Sequence, residues 1–236
     1  RISFLNKIRT VKKINLHGFS INILAEWYKI RYLCTVIMAK VMTGKVEALK
    51  KHLKAGNTYR RAELAQWSNA VDRHIALLLK EGFLEKLSAG LYYVPKKSVF
   101  GVVPPDDESL VRTFLKEDDF LLTSPNAYNS LGVGTTQLYN RRVVYNHKRH
   151  GEFELGGKKF FFHSKHRFPK KLTREFLLVD LVNNLKNLAE DSDAVLKNVL
   201  AKVQSMDKRH LKYSLDHYGN ARTKTLLKPF INETYS

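Results

Sequence analysis

The chain has 236 residues, and 44% of them are hydrophobic, which is enough for one large domain or two modest domains with real cores. Lysine and arginine number 41 against 22 acidic residues, so the formal net charge is +19. Such a surplus attracts polyanions, which makes nucleic acid the first candidate partner and an acidic membrane surface the second. No continuous apolar span is long enough to cross a bilayer, and the single cysteine, Cys34, excludes an internal disulfide. We therefore expect a cytoplasmic protein with no membrane partner.

Residues 1–41 differ in composition from the rest of the chain. The first forty residues contain eight lysines or arginines and one acid, Glu26. Glu26 interrupts the apolar stretch 21–25, and no small-residue cleavage site follows it, so the pattern is not that of a signal peptide. We expect Met38 or Met42 to be the initiator, with a basic upstream extension before it. The alternative is a basic N-terminal helix that docks on the body.

Two helices are predicted after Thr43. In the first, apolar residues recur at helical spacing, and the segment ends at Gly56 and Asn57, which suit a helix C-terminus. In the second, Thr58 is the predicted N-cap of a helix over residues 59–66.

A third helix is predicted from Ser68, as its N-cap, to Gly82, as its end. His74 lies at the edge of its apolar stripe and is interpreted as a packed histidine. The stripe consists of Val71, Ile75, Leu78 and Leu79, and the opposite face carries Asn69, Asp72, Arg73, Ala76 and Lys80.

A hairpin is predicted after the third helix, because residues 83–87 and 91–94 flank a short Ser-Ala-Gly turn. Three helices followed by a hairpin are typical of a winged helix-turn-helix. We assign this module to residues 42–103, after the N-terminal extension 1–41.

A second domain is predicted over residues 104–236, because Pro104 and Pro105 exclude a helix at that point. The pattern predicts a mixed α/β domain with a small antiparallel sheet and a helical C-terminal part, so the whole chain is assigned to the α+β class. The predicted helices are 108–115, 125–131, 173–188, 194–203, 210–218 and 221–227, and the predicted strands are 120–122, 142–146, 152–155 and 158–162, with Gly156-Gly157 as the turn between the last two.

The third helix is the candidate DNA-reading element, because an α-helix fits the major groove. Asparagine can bind adenine and arginine can bind guanine through two hydrogen bonds, so Asn69 and Arg73 are the candidate base readers. The alternative is an ordinary solvated face, since polar residues lie opposite any apolar stripe. The residues predicted to contact DNA are Arg60, Arg61, Ser68, Asn69, Asp72, Arg73, Lys86, Ser88, Lys96 and Lys97.

Residues 141–171 form a second basic region, here called the basic block, with ten lysines or arginines against two acids. Such a surface is expected to bind a polyanion or an acidic protein. Phe160 and Phe162 alternate with Phe161, so at least one face of that strand is predicted to be core. The candidate binding residues are Arg141, Arg142, Lys148, Arg149, Lys158, Lys159, Lys165, Arg167, Lys170 and Lys171.

Three further motifs are interpreted as structural. The histidines at 147, 150, 163 and 166 form two H-x-x-H pairs, but these lie in predicted strand and loop, so we predict no metal, no cofactor and no catalytic residue. A nucleic-acid-processing enzyme that uses this region is the alternative. The glycine-rich segment 132–136 lacks the lysine of a phosphate-binding loop and is predicted to be a turn. Asp180 lies among apolar residues and needs a partner such as an arginine or a backbone amide.

Three segments resemble a known family, the AbiEi-type antitoxins. YRRAELAQWSNAVDRHIALLLKEGFLEKLSAGLYYVP is similar to the winged-helix portion of that family, LLTSPNAYNSLG to its next helix, and FLLVDLVNNL to a late helix with an embedded aspartate. The resemblance covers residues 43–188. It implies a cytoplasmic, non-enzymatic regulator that binds operator DNA and represses its own operon, and a C-terminal domain that opposes a cognate nucleotidyltransferase toxin. The basic block is richer than the family pattern, which leaves a branch without a toxin as an alternative. A separate alternative is an interaction module whose winged helix binds protein.

Overall fold

A computed structural model describes residues 23–232, and the chain divides into two compact units, the first ending at His52 and the second beginning at Leu53. In the first unit, helix α1 (Ile23–Lys50) is 28 residues long. No helix within the described range is both long enough and apolar enough to cross a membrane.

Helix α1 begins well before Thr43, where the sequence pattern placed the start of the first helix. That prediction was wrong because residues 23–42 contain no glycine or proline, so nothing in them interrupts a helix. Val46 and Leu49 are buried, whereas the side chains of residues 29–35 are exposed. The predicted extension lies partly outside the described range, since residues 1–22 are not included in it.

The second unit begins with the helix-turn-helix and its sheet. Its elements are β1 (Thr58–Arg60), α2 (Arg61–Ala65), α3 (Val71–Lys80), β2 (Glu85–Ser88) and β3 (Leu91–Tyr93), and the three strands form an antiparallel sheet in the order β1-β3-β2. The predicted third helix and hairpin are confirmed, and Gly82, with φ of +68°, follows α3 in the left-handed conformation that glycine favours.

Thr58 is not the N-cap of the second helix. It lies in β1, and its hydroxyl forms a hydrogen bond with the Thr113 hydroxyl at 2.7 Å. Helix α2 begins three residues later, at Arg61, and the Glu63 carboxylate accepts from the backbone N–H of Arg60 at 2.9 Å. The cap prediction failed because a partner 55 residues away binds the threonine hydroxyl.

A second hairpin follows directly, formed by β4 (Lys96–Ser98) and β5 (Gly101–Val103). The sequence pattern did not indicate it. The Tyr93 hydroxyl donates to the carbonyl of Val103 at 2.6 Å, which ties this hairpin to β3. Its tip carries Val99 and Phe100, which are 98% and 100% exposed.

The rest of the unit is α+β, and in chain order helix α4 (Asp107–Leu115) precedes a four-stranded sheet. Asp106 caps α4 by accepting from the N–H of Ser109 at 2.9 Å. The strands are β6 (Phe120–Thr123), β7 (Arg142–Asn146), β8 (Gly151–Leu155) and β9 (Lys158–Ser164), in the order β6-β7-β9-β8, and β7 and β9 run parallel while the other pairs are antiparallel.

The predicted helices of this part are present. A 3₁₀ helix covers Pro125–Leu131, and the C-terminal part consists of α5 (Arg174–Asn184), a 3₁₀ turn (Leu185–Asn187), α6 (Ser192–Gln204), α7 (Lys208–Tyr218) and α8 (Ala221–Asn232). Thr173, Asp191 and Asp207 cap α5, α6 and α7 through their side chains.

The two faces of the four-stranded sheet pack against different layers. Val144, Phe160 and Phe162 join the core that includes α4 residues, which confirms the predicted core face of β9. Tyr145 on the other face packs with Phe176 of α5. Leu91 of the winged-helix sheet belongs to the α4 core, so the predicted domain boundary at residue 104 falls inside one compact unit.

Candidate nucleic-acid interface

Helix α3 has one buried face and one exposed face. Val71, His74, Ile75 and Leu78 are buried, and Asn69, Asp72, Arg73, Ala76 and Lys80 are exposed. The buried face packs into the interior, so the polar residues lie on the outer side of the helix. This is the arrangement that a DNA-reading helix requires.

Ser68 does not contribute to the exposed face. Its side chain is 8% exposed, and its hydroxyl forms a hydrogen bond with Nδ1 of His74 at 2.7 Å and accepts from the N–H of Ala70 at 3.3 Å. Helix α3 begins at Val71 with Ala70 as its N-cap, so Ser68 is not the N-cap that the sequence suggested. The reason is that the buried imidazole binds the serine hydroxyl, which confirms His74 as a packed histidine.

The two candidate base readers occupy different backbone positions. Arg73 lies in the first turn of α3, and Asn69 lies in the turn before the helix, ahead of Ala70. Both side chains are exposed. They therefore stand at the N-terminal end of α3, which is the end that approaches base edges in helix-turn-helix proteins.

Arg61 and Asp72 connect α2 to α3 through a two-point ion pair. Nε and Nη2 of Arg61 donate to Oδ1 and Oδ2 of Asp72 at 2.7 and 2.6 Å. The hydrogen bond from Arg61 lowers the pKa of the Asp72 carboxyl. The pair fixes the relative position of the two helices and neutralises the acid on the exposed face of α3.

Arg60 faces inward instead. Its guanidinium donates to the carbonyls of Thr113 and Phe114 in the last turn of α4, and burial lowers its pKa. It satisfies carbonyls at a helix C-terminus, where a cation is favourable. The Arg60 guanidinium is therefore not available to contact DNA.

The remaining candidates lie on the two hairpins. Lys86 is exposed on β2, and Ser88 at the end of that strand is half-buried. Lys96 and Lys97 lie just beyond the predicted hairpin, and they are exposed on β4 of the second hairpin.

The basic block is not a uniform cationic surface. Five of its ten cations pair with carboxylates: Arg142 and Lys158 with Asp107, Lys148 with Glu117, Lys159 with Glu152, and Lys165 with Asp180. The two cations at Asp107 are both at 2.5 Å and hold α4 to the sheet. Arg141, Arg149, Arg167, Lys170 and Lys171 form no ion pair within residues 23–232.

The four histidines of the block do not converge on one point. His147 stacks on Phe168 and lies 3.3 Å from Asp119, while the His150 and His163 rings are 5.6 Å apart. Nowhere in the described part of the chain do three or more histidine, cysteine or acidic side chains form a group that could hold a metal ion.

Asp180 is 1% exposed, and its partners are tyrosine hydroxyls and a lysine rather than an arginine or a backbone amide. The Tyr128 hydroxyl donates to Oδ2 at 2.8 Å, the Tyr145 hydroxyl lies 2.9 and 2.8 Å from Oδ1 and Oδ2, and Nζ of Lys165 lies 3.4 Å from Oδ1. The sequence offered no signal for these tyrosines, which are 52 and 35 residues away.

No family model matches the chain, and no curated protein matches it. Among solved structures, the chain is similar to the RV2827C protein from Mycobacterium tuberculosis, with 14% sequence identity, a TM-score of 0.48, and coverage of 84% of this chain and 77% of that chain. A likeness at this level assigns no function.

Proposed function

We propose that the protein is a DNA-binding transcriptional regulator that reads duplex DNA with the N-terminal end of α3. The observation that carries the proposal is the two-sided character of this helix. Its apolar face is buried, while Asn69 and Arg73 are exposed at the end that enters a major groove. The net charge of +19 supplies the long-range attraction to a polyanion.

Base reading and phosphate binding are assigned to different residues. Asn69 and Arg73 have the donor and acceptor chemistry for base edges, so they supply selectivity. Lys86, Lys96 and Lys97 are exposed point charges on the hairpins and supply affinity through phosphate contacts.

The test is a titration of the full chain against the DNA upstream of its own reading frame and against a scrambled duplex, at several salt concentrations. We expect Asn69→Ala and Arg73→Ala each to cost roughly 1 to 3 kcal/mol on the upstream duplex and little on the scrambled one. Lys97→Ala should weaken both duplexes alike and lower the salt slope by about one unit.

Lys197→Ala is the matched control, because it removes the same charge from an exposed position on α6, outside the hairpins and the basic block. All of these side chains are exposed, so the melting temperature should not change. Equal behaviour of Arg73→Ala and Lys97→Ala on both duplexes would refute the division of roles. Duplex binding no stronger than that of an arbitrary basic protein would refute DNA recognition itself.

We extend the proposal, on the resemblance to AbiEi-type antitoxins, to a cytoplasmic antitoxin of a type IV toxin-antitoxin system that opposes a nucleotidyltransferase toxin. Co-expression with the adjacent reading frame tests it. If that frame encodes such a toxin, the full chain should relieve the growth arrest that the toxin causes alone. Arrest that persists at equal toxin levels would contradict the extension.

A second candidate is a protein-interaction module, and the tip of the second hairpin favours it. Val99 and Phe100 are almost fully exposed, which is unusual for two adjacent large apolar residues. Under this alternative, Phe100→Ser would reduce binding to the protein product of the adjacent reading frame and leave duplex binding unchanged.

A further inference from the structure

A small cleft lies beside the buried Asp180, away from the winged-helix residues. The 3₁₀ helix contributes Tyr128, β7 and the residue before it contribute Tyr145 and Arg141, β9 contributes His163, and the end of α5 contributes Asn184. Arg141 and Tyr145 share one face of the sheet, and His163 is paired with Tyr145 in the parallel register. Strand alternation therefore places these polar side chains in one row.

Arg141 is the unusual member of the cleft. Its guanidinium lies 4.1 Å from the centre of the Phe161 ring, and its Nε is buried without a hydrogen-bond partner. It forms no ion pair with any of the described residues. Because the guanidinium lines the cleft and has no carboxylate partner among the described residues, its terminal N–H groups are available to an anion.

The charges around the cleft are predominantly positive. His163 is half-buried, and burial, with the charges of Lys165, His150 and Arg141, lowers its pKa. The one acid in contact with this group is Asp180, and its oxygens already accept from two tyrosines and Lys165. The cleft therefore offers one cationic donor, the Arg141 guanidinium, and no carboxylate that is available to neutralise it.

The volume limits the size of a ligand. The cleft encloses about 50 Å³. At about 10 to 15 Å³ for each water, that is space for about four water molecules, which is the size of a phosphate group and too small for a nucleobase.

We propose that this cleft binds a phosphate group, with the Arg141 guanidinium as its principal ligand and the His163 imidazole as the second. The guanidinium fork matches two phosphate oxygens, and a histidine can add a charged donor once it is protonated. The phosphate is either free or at the end of a larger molecule whose remainder lies outside the cleft. This proposal does not depend on DNA binding by α3.

The first experiment measures binding of inorganic phosphate to the full chain by calorimetry, with a nucleoside 5′-monophosphate and acetate as parallel ligands. We expect phosphate to bind and acetate to bind weakly. A tighter monophosphate would identify a phosphoester as the source, and equal affinity would identify the free anion. Arg141→Gln should reduce phosphate affinity at least about tenfold, because it removes a charge-assisted, two-point contact.

Lys197→Gln is the control, since it removes the same charge from an exposed position on α6, outside the candidate binding residues. Equal losses for the two variants would show non-specific attraction and overturn the proposal, as would acetate binding that matches phosphate. Arg141→Lys keeps the charge but not the fork. If Arg141→Gln lowers the melting temperature, Arg141→Lys is tested in its place. With a melting temperature equal to that of the parent, this variant should still bind phosphate more weakly.

The second experiment follows the His163 imidazole protons by NMR. Because Arg141, Lys165, His150, Asp180 and Tyr145 surround this ring, its protonation reports on the local charge. Saturating phosphate should raise the pKa of His163, because a nearby anion stabilises the imidazolium. An unchanged His163 titration in saturating phosphate would overturn the assignment.

Discussion

Replacing Tyr145 by phenylalanine tests whether the tyrosines hold the buried charge of Asp180. The substitution removes one oxygen, which lies 2.9 and 2.8 Å from the two carboxylate oxygens, and leaves the ring in its place against Phe176. Burial, followed by the nearby charge of Asp180, raises the pKa of Tyr145 above its usual value. The hydroxyl therefore remains a proton donor throughout the range in which the protein is studied.

The magnitude follows from the type of hydrogen bond. A hydrogen bond to a charged group contributes about 1.5 to 3 kcal/mol, and its loss leaves a carboxylate that is 1% exposed with one donor fewer. No additional loss of stability from a cavity is expected, because the phenyl ring remains in place. For a compact unit of this size, each kcal/mol lowers the melting temperature by about 2 to 4 °C, so the expected decrease is about 3 to 12 °C.

The assay is urea denaturation of the full chain, with Tyr32→Phe as the control because the Tyr32 side chain is 70% exposed. The control should change the free energy of unfolding by less than about 0.5 kcal/mol. Asp180→Asn removes the charge, so in that background Tyr145→Phe should cost only the 0.5 to 1.5 kcal/mol or so of a neutral hydrogen bond. An equal cost in both backgrounds would refute a charge-assisted network.

A substitution tests the ion pairs of Asp107, and a truncation tests the role of the N-terminal segment. Burial raises the pKa of Asp107, but hydrogen bonds from Lys158 and Arg142 outweigh it and hold the pKa below its usual range. The stabilisation is therefore complete above about pH 4 and is lost as the pH falls through the folded-state pKa. Solvent screens this partly exposed group, so Asp107→Asn should cost about 1 kcal/mol at neutral pH and little in acid, measured by denaturation at several pH values. Removal of residues 1–37 should change the melting temperature by less than about 2 °C, because the side chains described between residues 29 and 35 are exposed; a larger decrease would show that the segment supports the fold.

The sequence predicted the features that depend on neighbouring residues. Gly156 and Gly157 form the hairpin turn with φ of +58° and +73°, a conformation that glycine adopts without strain. The strand Arg142–Asn146 has the predicted bounds, and α5 begins one residue after the predicted start, with Thr173 as its cap. Each signal lies within a few residues of the feature that it predicts.

The failures have two different causes. Arg60, a cation near the start of the predicted second helix, was assigned to DNA, but the carbonyls of α4, more than 50 residues away, bind its guanidinium. That contact is tertiary, and no local pattern encodes it. The hairpin Lys96–Val103 pairs within eight residues, but it was missed because its residues are exposed and show no alternation of apolar and polar side chains.

The same reasoning limits what net charge predicts about binding. The net positive charge is a total over the whole chain, yet half of the cations of the basic block are neutralised by carboxylates that come from other elements. Attraction at long range depends on the total charge, whereas binding at a defined place requires a cation whose donors are not already occupied. Arg61 beside Asp72 and Arg142 beside Asp107 are therefore poor ligands for a phosphate, although each lies within a basic segment. Arg141 is one position before Arg142 and faces the opposite side of the sheet. It forms no ion pair with a carboxylate of the described residues, and strand alternation accounts for the difference between the two arginines.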